Sequence, residues 1–394
     1  MPGFEWFGDE ERKGVMEVLD SGVLMRYGFD AARKGHWKAQ ELEGALMNRI
    51  GTRYAHVCSS GTAALSAAMA ACGIGAGDEV IVPPFTFVAD LEIILLGGAV
   101  PVFADIDETL CLDPKAVEAA ITSQTKAVLV VHMCGSMARI DALTDLCQRH
   151  KLILIEDVAQ AIGASFRGKA LGTFGKAACF SFDYVKTITC GEGGAIMTDD
   201  QQVYTIAQAF TDHGHDHLGQ DRGADGHGHL GTNFRISELH AAVGLAQLRK
   251  LDKIVARQRD HKRFLKDGLG GIRRLEFRNV PDPAGDSATF LSLMLPSEEE
   301  ARQSAKKLAQ AGVDGCFYWY DNSWHYHRNW EHIKQLKSPG RLPIAKFNYG
   351  KDVAKPALVQ SDTIMGRTIS MLIKLSWTGE QLHDRLERMQ SVLA

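Results

Sequence analysis

A chain of 394 residues is too long for one compact core of ordinary size, and its length favours two domains or one large α/β domain with a smaller appendage. Lys plus Arg number 44 and Asp plus Glu 48, a net charge of -4 with no long run of either sign. That balance gives no reason to expect nucleic acid or an anionic membrane as partner and leaves small-molecule chemistry as the default.

Taken from the N-terminus, MPGFEWFGDEERKGV carries acidic residues and no apolar leader core. No uninterrupted apolar run is long enough to span a bilayer, so a cytoplasmic location is expected. The eight cysteines are scattered through apolar segments without a C-x-x-C pair, which argues against a zinc site or a disulfide frame and for reduced core thiols. From about residue 54 to 200, short runs rich in Val and Ile alternate with Ala- and Leu-rich stretches. YAHVCSS precedes GTAALSAAMAACG, DEVIVPP precedes FTFVADLEIILLGG, and VPVFADI precedes a helix-like segment from Leu112 to Ile121. Asp113 followed by Pro114 has the chemistry of a helix start. KAVLVVH, IDALTDLCQRH and LILIED continue the alternation. Strand-like runs with little polar alternation are covered on both faces, which predicts a mostly parallel sheet of βαβ units.

A helix is predicted over 236–269, bridging into a smaller C-terminal domain of mixed α+β character, with the boundary placed between 250 and 251. Beyond it lie strand-like TFLSLML, helix-like SEEEARQSAKKLAQAG and the aromatic stretch CFYWYDNSWHYHRNW. The fold class expected is α/β.

Three places carry chemistry. The stretch FSFDYVKTITCGEGG sets Lys186 at the exit of an apolar strand. A lysine there ordinarily reaches back to solvent; held in a dry pocket it becomes a nucleophilic amine. LILIED ends in Glu156 and Asp157, at the carboxyl end of a strand where open α/β sheets bind ligands, with Gln160 on the turn beyond. A carboxylate there can hold a pyridinium charged; the plainer alternative is a capped turn. CSSGTAAL places Ser59, Ser60, Gly61 and Thr62 between a strand and a helix, where exposed N–H groups and the helix dipole suit a phosphate. Alone the last signal is weak, since small residues pack well at such turns. Together the three make a site for pyridoxal 5'-phosphate.

The segments SSGTAAL, PPFTFVAD, EDVAQAIGA, FSFDYVKTITCGEGG and GTNFRISELHAAVGLAQL, in that order and with those gaps, resemble the DegT/StrS family of pyridoxal-phosphate-dependent sugar aminotransferases. The resemblance covers roughly residues 15 to 255; the C-terminal third matches loosely. It implies an aspartate-aminotransferase-like (fold-type I) large domain over 1–250 and a smaller domain over 251–394. It also implies that Lys186 carries the cofactor as an imine, Asp157 pairs with its ring nitrogen, Gln160 meets its ring hydroxyl and Phe87 lies against its face. Gly61, Thr62 and Ser181 would hold the phosphate, joined by Asn233 from a neighbouring subunit, so that a homodimer shares its active sites. Asp183 stands where the family often has His. A dehydrating branch has His in place of the lysine, so Lys186 favours amino transfer from glutamate to a keto sugar.

Within the family, SGVLMRYGFDAARKGHWKAQELE, FDYVKTITCGEGG and the His-rich loop look most like the branch that makes 8-amino-3,8-dideoxy-manno-octulosonate, a lipopolysaccharide sugar. Arg26 and His213 are the candidates to read that acceptor's carboxylate. A nucleotide-linked keto hexose is the alternative acceptor, and a non-catalytic or metal-binding protein of the same fold the alternative class. His213, His215, His217, His227 and His229 could together hold a metal. A solvated loop beside the active site is preferred, because no partnering carboxylate or Cys spacing matches a metal motif, and no metal is expected.

Overall fold

The computed structural model describes residues 3–219, 223–346 and 357–394. Two helices open the chain, α1 (Asp9–Ser21) and α2 (Lys38–Ile50), followed by β1 (Tyr54–Cys58) and α3 (Gly61–Ala71). The alternation continues through β2 (Glu79–Val82), α4 (Ala89–Leu96), β3 (Val100–Phe103), α5 (Pro114–Ala119), β4 (Thr125–Val131), α6 (Ile140–His150) and β5 (Ile153–Asp157). A small hairpin of β6 (Ser165–Phe166) and β7 (Lys169–Ala170) leads to β8 (Ala177–Ser181), β9 (Gly194–Thr198) and α7 (Gln201–Phe210). The predicted caps form: the Asp113 side chain accepts the N–H of Lys115, with Pro114 at the first position of α5.

Seven strands make the large sheet in the order β1-β9-β8-β5-β4-β2-β3. β3, β2, β4, β5 and β8 run parallel, β9 is antiparallel to both its neighbours, and the sheet is mostly parallel as the apolar runs predict. β8 and β9 are buried at every residue. One apolar core joins the sheet to Leu42 and Leu46 of α2 and Leu143 of α6; the other joins it to Ala64 and Ala68 of α3, Ile94 of α4 and Ala207 of α7. Covering both faces is what a parallel sheet needs.

The helix α8 (Glu238–Leu269) then runs unbroken from the first core, through Leu251 and Ile254, into a third built around Leu265 and Leu269. The boundary expected at 250/251 therefore falls inside a continuous helix. A second sheet in the order β10-β11-β13-β12 is formed by β10 (Glu276–Phe277), β11 (Phe290–Met294), β12 (Cys316–Phe317) and β13 (Thr368–Leu372), all antiparallel. With it come α9 (Glu298–Gln310), the short α10 (Glu331–Lys334), α11 (Val359–Gly366) and α12 (Gly379–Leu393).

Phe85 to Phe87, expected inside a helix, lie ahead of it: Phe85 bridges to Tyr326, and helical backbone begins only at Val88. The N–H groups of Thr86 and Val88 donate to the carbonyls of His325 and Trp324 at 3.0 and 2.9 Å, and the N–H of His327 donates to Pro84 O at 3.0 Å. This ladder ties the C-terminal aromatic stretch to the edge of the large domain.

Candidate active site

The carboxyl ends of β5 and β8 and the N-terminus of α3 converge on a cavity of about 300 Å³. Its wall includes Gly61, Thr62, Phe87, Asp157, Gln160, Ser181 and Lys186, which the sequence places far apart. Each is positioned by its own element.

Alternation along β5 separates the two acidic residues. Glu156 turns away from the cavity and accepts N–H groups from Gly172, Phe174 and Gly175 at 2.8, 2.7 and 2.7 Å, with His132 Nε2 at 3.2 Å. Burial pushes its carboxyl up, but His132 and these N–H groups outweigh burial and hold it below the usual range. Asp157 faces the cavity with one backbone donor, Ala159 N at 2.8 Å, and burial raises its carboxyl. Gln160 Oε1 accepts the Cys134 N–H at 2.9 Å, which fixes the amide at the cavity wall.

At α3, the Ser60 side chain caps the helix by accepting the Ala63 N–H at 3.0 Å. A Cβ on Gly61 would lie 2.7 Å from Cβ of Ser181, so only glycine lets the helix N-terminus approach β8 this closely. The amides of the first turn have no partner within the helix and suit an anion. Lys186 lies on the turn after β8, where its N–H donates to Asp183 O at 2.9 Å. Burial lowers its ammonium below the ordinary lysine range, opposed by the charges of Asp157, Asp183 and Asp90. Its Nζ stands 6.0 Å from the centroid of the Phe87 ring. A cavity with a depressed lysine, an apposed carboxylate, a helix N-terminus and a flat ring fits pyridoxal phosphate.

Two wall residues, His325 and Asp90, were missed, and so was Trp324, which backs the wall residue Phe87. The Trp324 ring stacks on Phe87 at 5.7 Å and 3° between planes, and His325 lies 5.5 Å from Phe87. His325 Nδ1 sits 3.0 Å from Asn322 Oδ1, so Nδ1 carries the hydrogen and Nε2 is an acceptor. Burial, with help from Lys186, pushes this imidazole down to about 3 and keeps it neutral. The other is Asp90, in the first turn of α4 and fully buried. The aromatic stretch was visible as composition, but its docking onto the segment 84–88 has no local signature.

Three expected residues lie elsewhere. Arg26 corrects an expectation: it is 3% exposed, its guanidinium bonds Glu43 Oε1 at 2.7 Å and Val57 O at 2.5 Å, and it does not line the cavity. The reason is a buried carboxylate: Glu43 needs a cation, and with Arg26 beside it is held at about 2 against the upward push of burial. His213 is also outside the cavity of its own chain; it is exposed with φ 58°, and its carbonyl accepts from His227 Nδ1 at 2.9 Å. Asn233 is exposed, bridges backbone to backbone with Asp212 and does not line this cavity.

The His-rich loop does have carboxylate partners, contrary to expectation. Asp212, His215 and His217 bring ligand-type atoms within 4.8 Å of one another, as do His215, Asp216 and Asp225. Yet the His217 N–H donates to His215 Nδ1 at 3.1 Å, which leaves the imidazole's own hydrogen on Nε2, 3.1 Å from Asp225 Oδ2. That tautomer gives Nε2 no lone pair for a metal, and Arg235 already bonds Asp212 at 2.5 Å. Residues 220–222 of this loop lie outside the described residues.

The model of the DegT/DnrJ/EryC1/StrS aminotransferase family matches residues 7–364. A relative 38% identical over 312 residues, covering 77% of this chain and 73% of its own, is the L-glutamine:scyllo-inosose aminotransferase of Streptomyces griseus. Among solved structures, 3-amino-5-hydroxybenzoic acid synthase superposes with a TM-score of 0.82 at 29% identity, covering 98% of this chain and 96% of its own. NtdA from Bacillus subtilis with bound cofactor PMP superposes with a TM-score of 0.82 at 24% identity, covering 98% and 81%.

Proposed function

The chain belongs to the DegT/DnrJ/EryC1/StrS aminotransferase family and is a pyridoxal-phosphate-dependent sugar aminotransferase; from that premise we propose how its residues do the work and on what. The observation that carries the reading is the enclosure of Lys186, Asp157 and the amides of α3 around one cavity.

The α3 amides at Gly61 and Thr62, with the Ser181 hydroxyl, would bind the phosphate, and Phe87 would cover one face of the ring. Asp157 would hold a proton at the ring nitrogen, and Gln160 would meet the ring hydroxyl. The bound cofactor supplies an electron sink next to the carbon that exchanges its proton. Lys186 Nζ would carry that proton: burial keeps a larger share of its amine neutral and therefore basic. His325 Nε2 offers an acceptor to a substrate hydroxyl.

A homodimer is proposed on two observations. Asn233 is exposed outside its own cavity. Large apolar side chains flank the lysine turn and the His-rich loop, with Tyr184 55%, Val185 49% and Leu230 95% exposed, surface that a second copy would cover.

The donor is glutamate or glutamine; the relative's name favours glutamine, the sequence reading glutamate. The acceptor we propose is a free polyhydroxylated carbonyl compound without a nucleotide, specifically 8-oxo-3,8-dideoxy-manno-octulosonate. Support comes from the branch-like stretches around Arg26 and Lys186. A second reading, a cyclic ketone such as scyllo-inosose, is favoured by the relative's 38% identity. The test is kcat/KM for the octulosonate, scyllo-inosose and a nucleotide-linked keto hexose with each donor. Preference for the octulosonate supports the first reading, preference for scyllo-inosose the second, and preference for the nucleotide sugar overturns both while leaving the aminotransferase in place.

A further inference from the structure

The turn that carries Lys186 is tied down from outside by a segment near the N-terminus. Its own bonds are local: the Lys186 N–H donates to Asp183 O at 2.9 Å and the Val185 N–H to Asp183 Oδ1 at 3.1 Å. Such bonds shape a turn without placing it against the rest of the protein. The Lys186 carbonyl takes its donor from far away in sequence, the Gly3 N–H at 3.2 Å. Among the described residues, no other hydrogen bond reaches residues 184–187 from beyond Asp183.

Gly3 is buried, and a Cβ there would lie 2.8 Å from Thr187 O, 2.9 Å from Gln247 Oε1 and 3.0 Å from Ile188 Cα. Two of those atoms are backbone of the residues just past the lysine, so a side chain at position 3 displaces the turn. Beside it the Phe4 ring stacks on Tyr184 at 4.9 Å with 13° between planes. The segment Gly3–Trp6 is a single 3-10 turn, and its other contacts are firm. Glu5 Oε2 accepts the N–H of Ser376, ahead of α12, at 2.7 Å, and Trp6 O accepts Lys250 Nζ of α8 at 2.8 Å. Lys250 Nζ and the buried Gln247 Nε2 both bond Glu11 Oε1, at 2.6 and 2.8 Å, which locks the start of the chain onto α8.

We propose that Gly3–Trp6 is a strap that positions Lys186, its Gly3 bond to the lysine carbonyl and its Phe4 ring on Tyr184 setting the lysine turn against Asp157 and the N-terminus of α3. Gly3 and Phe4 are positioning residues: neither lines the cavity, and both act through the lysine. A misplacement of about 1 Å at a reacting group can cost about 100-fold in rate, and the strap takes that freedom from a turn otherwise held by its own bonds. The inference rests on the reading of Lys186 as the reacting amine, but the hold on the turn can be measured without cofactor.

The experiment compares full-length wild type with Gly3→Val, Phe4→Ala and Phe4→Tyr, each in the same oligomeric state. In cofactor-free protein, amide hydrogen exchange over residues 183–188 is expected to rise about tenfold or more in Gly3→Val and Phe4→Ala, with α3 and β5 unchanged. Phe4→Tyr, which keeps the stacked ring, is expected to exchange like wild type. Unchanged exchange in both loosened variants overturns the proposal. In single turnovers of the holoenzyme with L-glutamine or L-glutamate, the same two variants are expected to lose about 10- to 100-fold in rate, with donor affinity and bound cofactor retained and Phe4→Tyr restored. Wild-type rates in both overturn the proposal. So does a loss of rate that only tracks lost cofactor or a lowered thermal midpoint, which is what a merely structural segment would give. Failure of wild type to transfer an amino group would sink the reading of Lys186 itself, while hydrogen exchange would still decide whether the strap holds the turn.

Discussion

Replacing Arg26 by Met tests whether the residue is structural or reads the substrate. Methionine fills much of the space left by the arginine stem but leaves Glu43 buried without its cation, with only the Val57 N–H at 2.9 Å and His56 Nδ1 at 3.4 Å. Removing one partner of a buried ion pair costs about 3–5 kcal/mol. A second route gives a similar size, since a carboxyl held at about 2 rather than 4.5 corresponds to about 3 kcal/mol at neutral pH. Burial and the Arg26 charge now depress His56; without Arg26 it can take up a proton and pair with Glu43, which places the loss at the lower end. The sign with pH is fixed. Glu43 is depressed in the folded state, so its contribution is present above pH 4.5 and is lost as pH falls towards 2. Arg26→Met is expected to lower the thermal midpoint by roughly 4–6 °C at pH 7 for a chain of 394 residues. The gap should narrow at pH 3, where wild type has itself lost part of the Glu43 contribution. Differential scanning calorimetry of cofactor-free protein measures both. An unchanged midpoint with a KM for the acceptor raised tenfold or more would refute the reasoning and return Arg26 to the substrate.

Gly61→Ala is expected to weaken pyridoxal phosphate binding by about 10- to 100-fold in an absorbance titration, because its Cβ meets Ser181 at 2.7 Å and the cradle must open. Glu156→Gln puts an amide where three N–H groups converge; a loss of roughly 2–4 kcal/mol in urea denaturation at pH 7.5 is expected. Because the Glu156 carboxyl is held low, that gap should close as pH falls below 4.5. Mixing inactive Lys186→Ala with an inactive Asn233→Ala variant under subunit exchange is expected to recover about a quarter of wild-type activity, the statistical yield of one intact site per heterodimer. No recovery, with heterodimers confirmed by mass spectrometry, would place Asn233 outside the site.

The sheet was legible because a strand covered on both faces leaves a run of Val, Ile and Ala with little alternation, as in KAVLVVH and LILIED. The cavity was legible where chemistry sits at strand ends: Asp157 and Ser181 end β5 and β8, Lys186 follows on the turn after β8, and Gly61 opens α3. What could not be read depends on long-range partners. Arg26 was read as a cation for the acceptor's carboxylate because nothing nearby in sequence announces Glu43, seventeen residues on. Phe85 to Phe87 looked helical by composition, but the segment of Trp324 and His325 bonds the N–H groups of Thr86 and Val88, and the helix starts after them. Asp90 sits inside an apolar run, and nothing local marks it as a buried carboxyl on the wall it shares with Asp157. In the His-rich loop the missing information was a tautomer, set by one backbone N–H at His217.

The central claim, that Lys186 is the amine through which this chain carries out amino transfer, is tested most directly by the visible spectrum of purified protein incubated with pyridoxal phosphate. Wild type is expected to develop a band in the visible that falls when L-glutamine or L-glutamate is added and returns with a carbonyl sugar acceptor. Lys186→Ala is expected to remain folded by circular dichroism, to lack that band and to transfer no amino group. A Lys186→Ala protein that develops the same band and transfers amino groups at a rate near wild type would contradict the account.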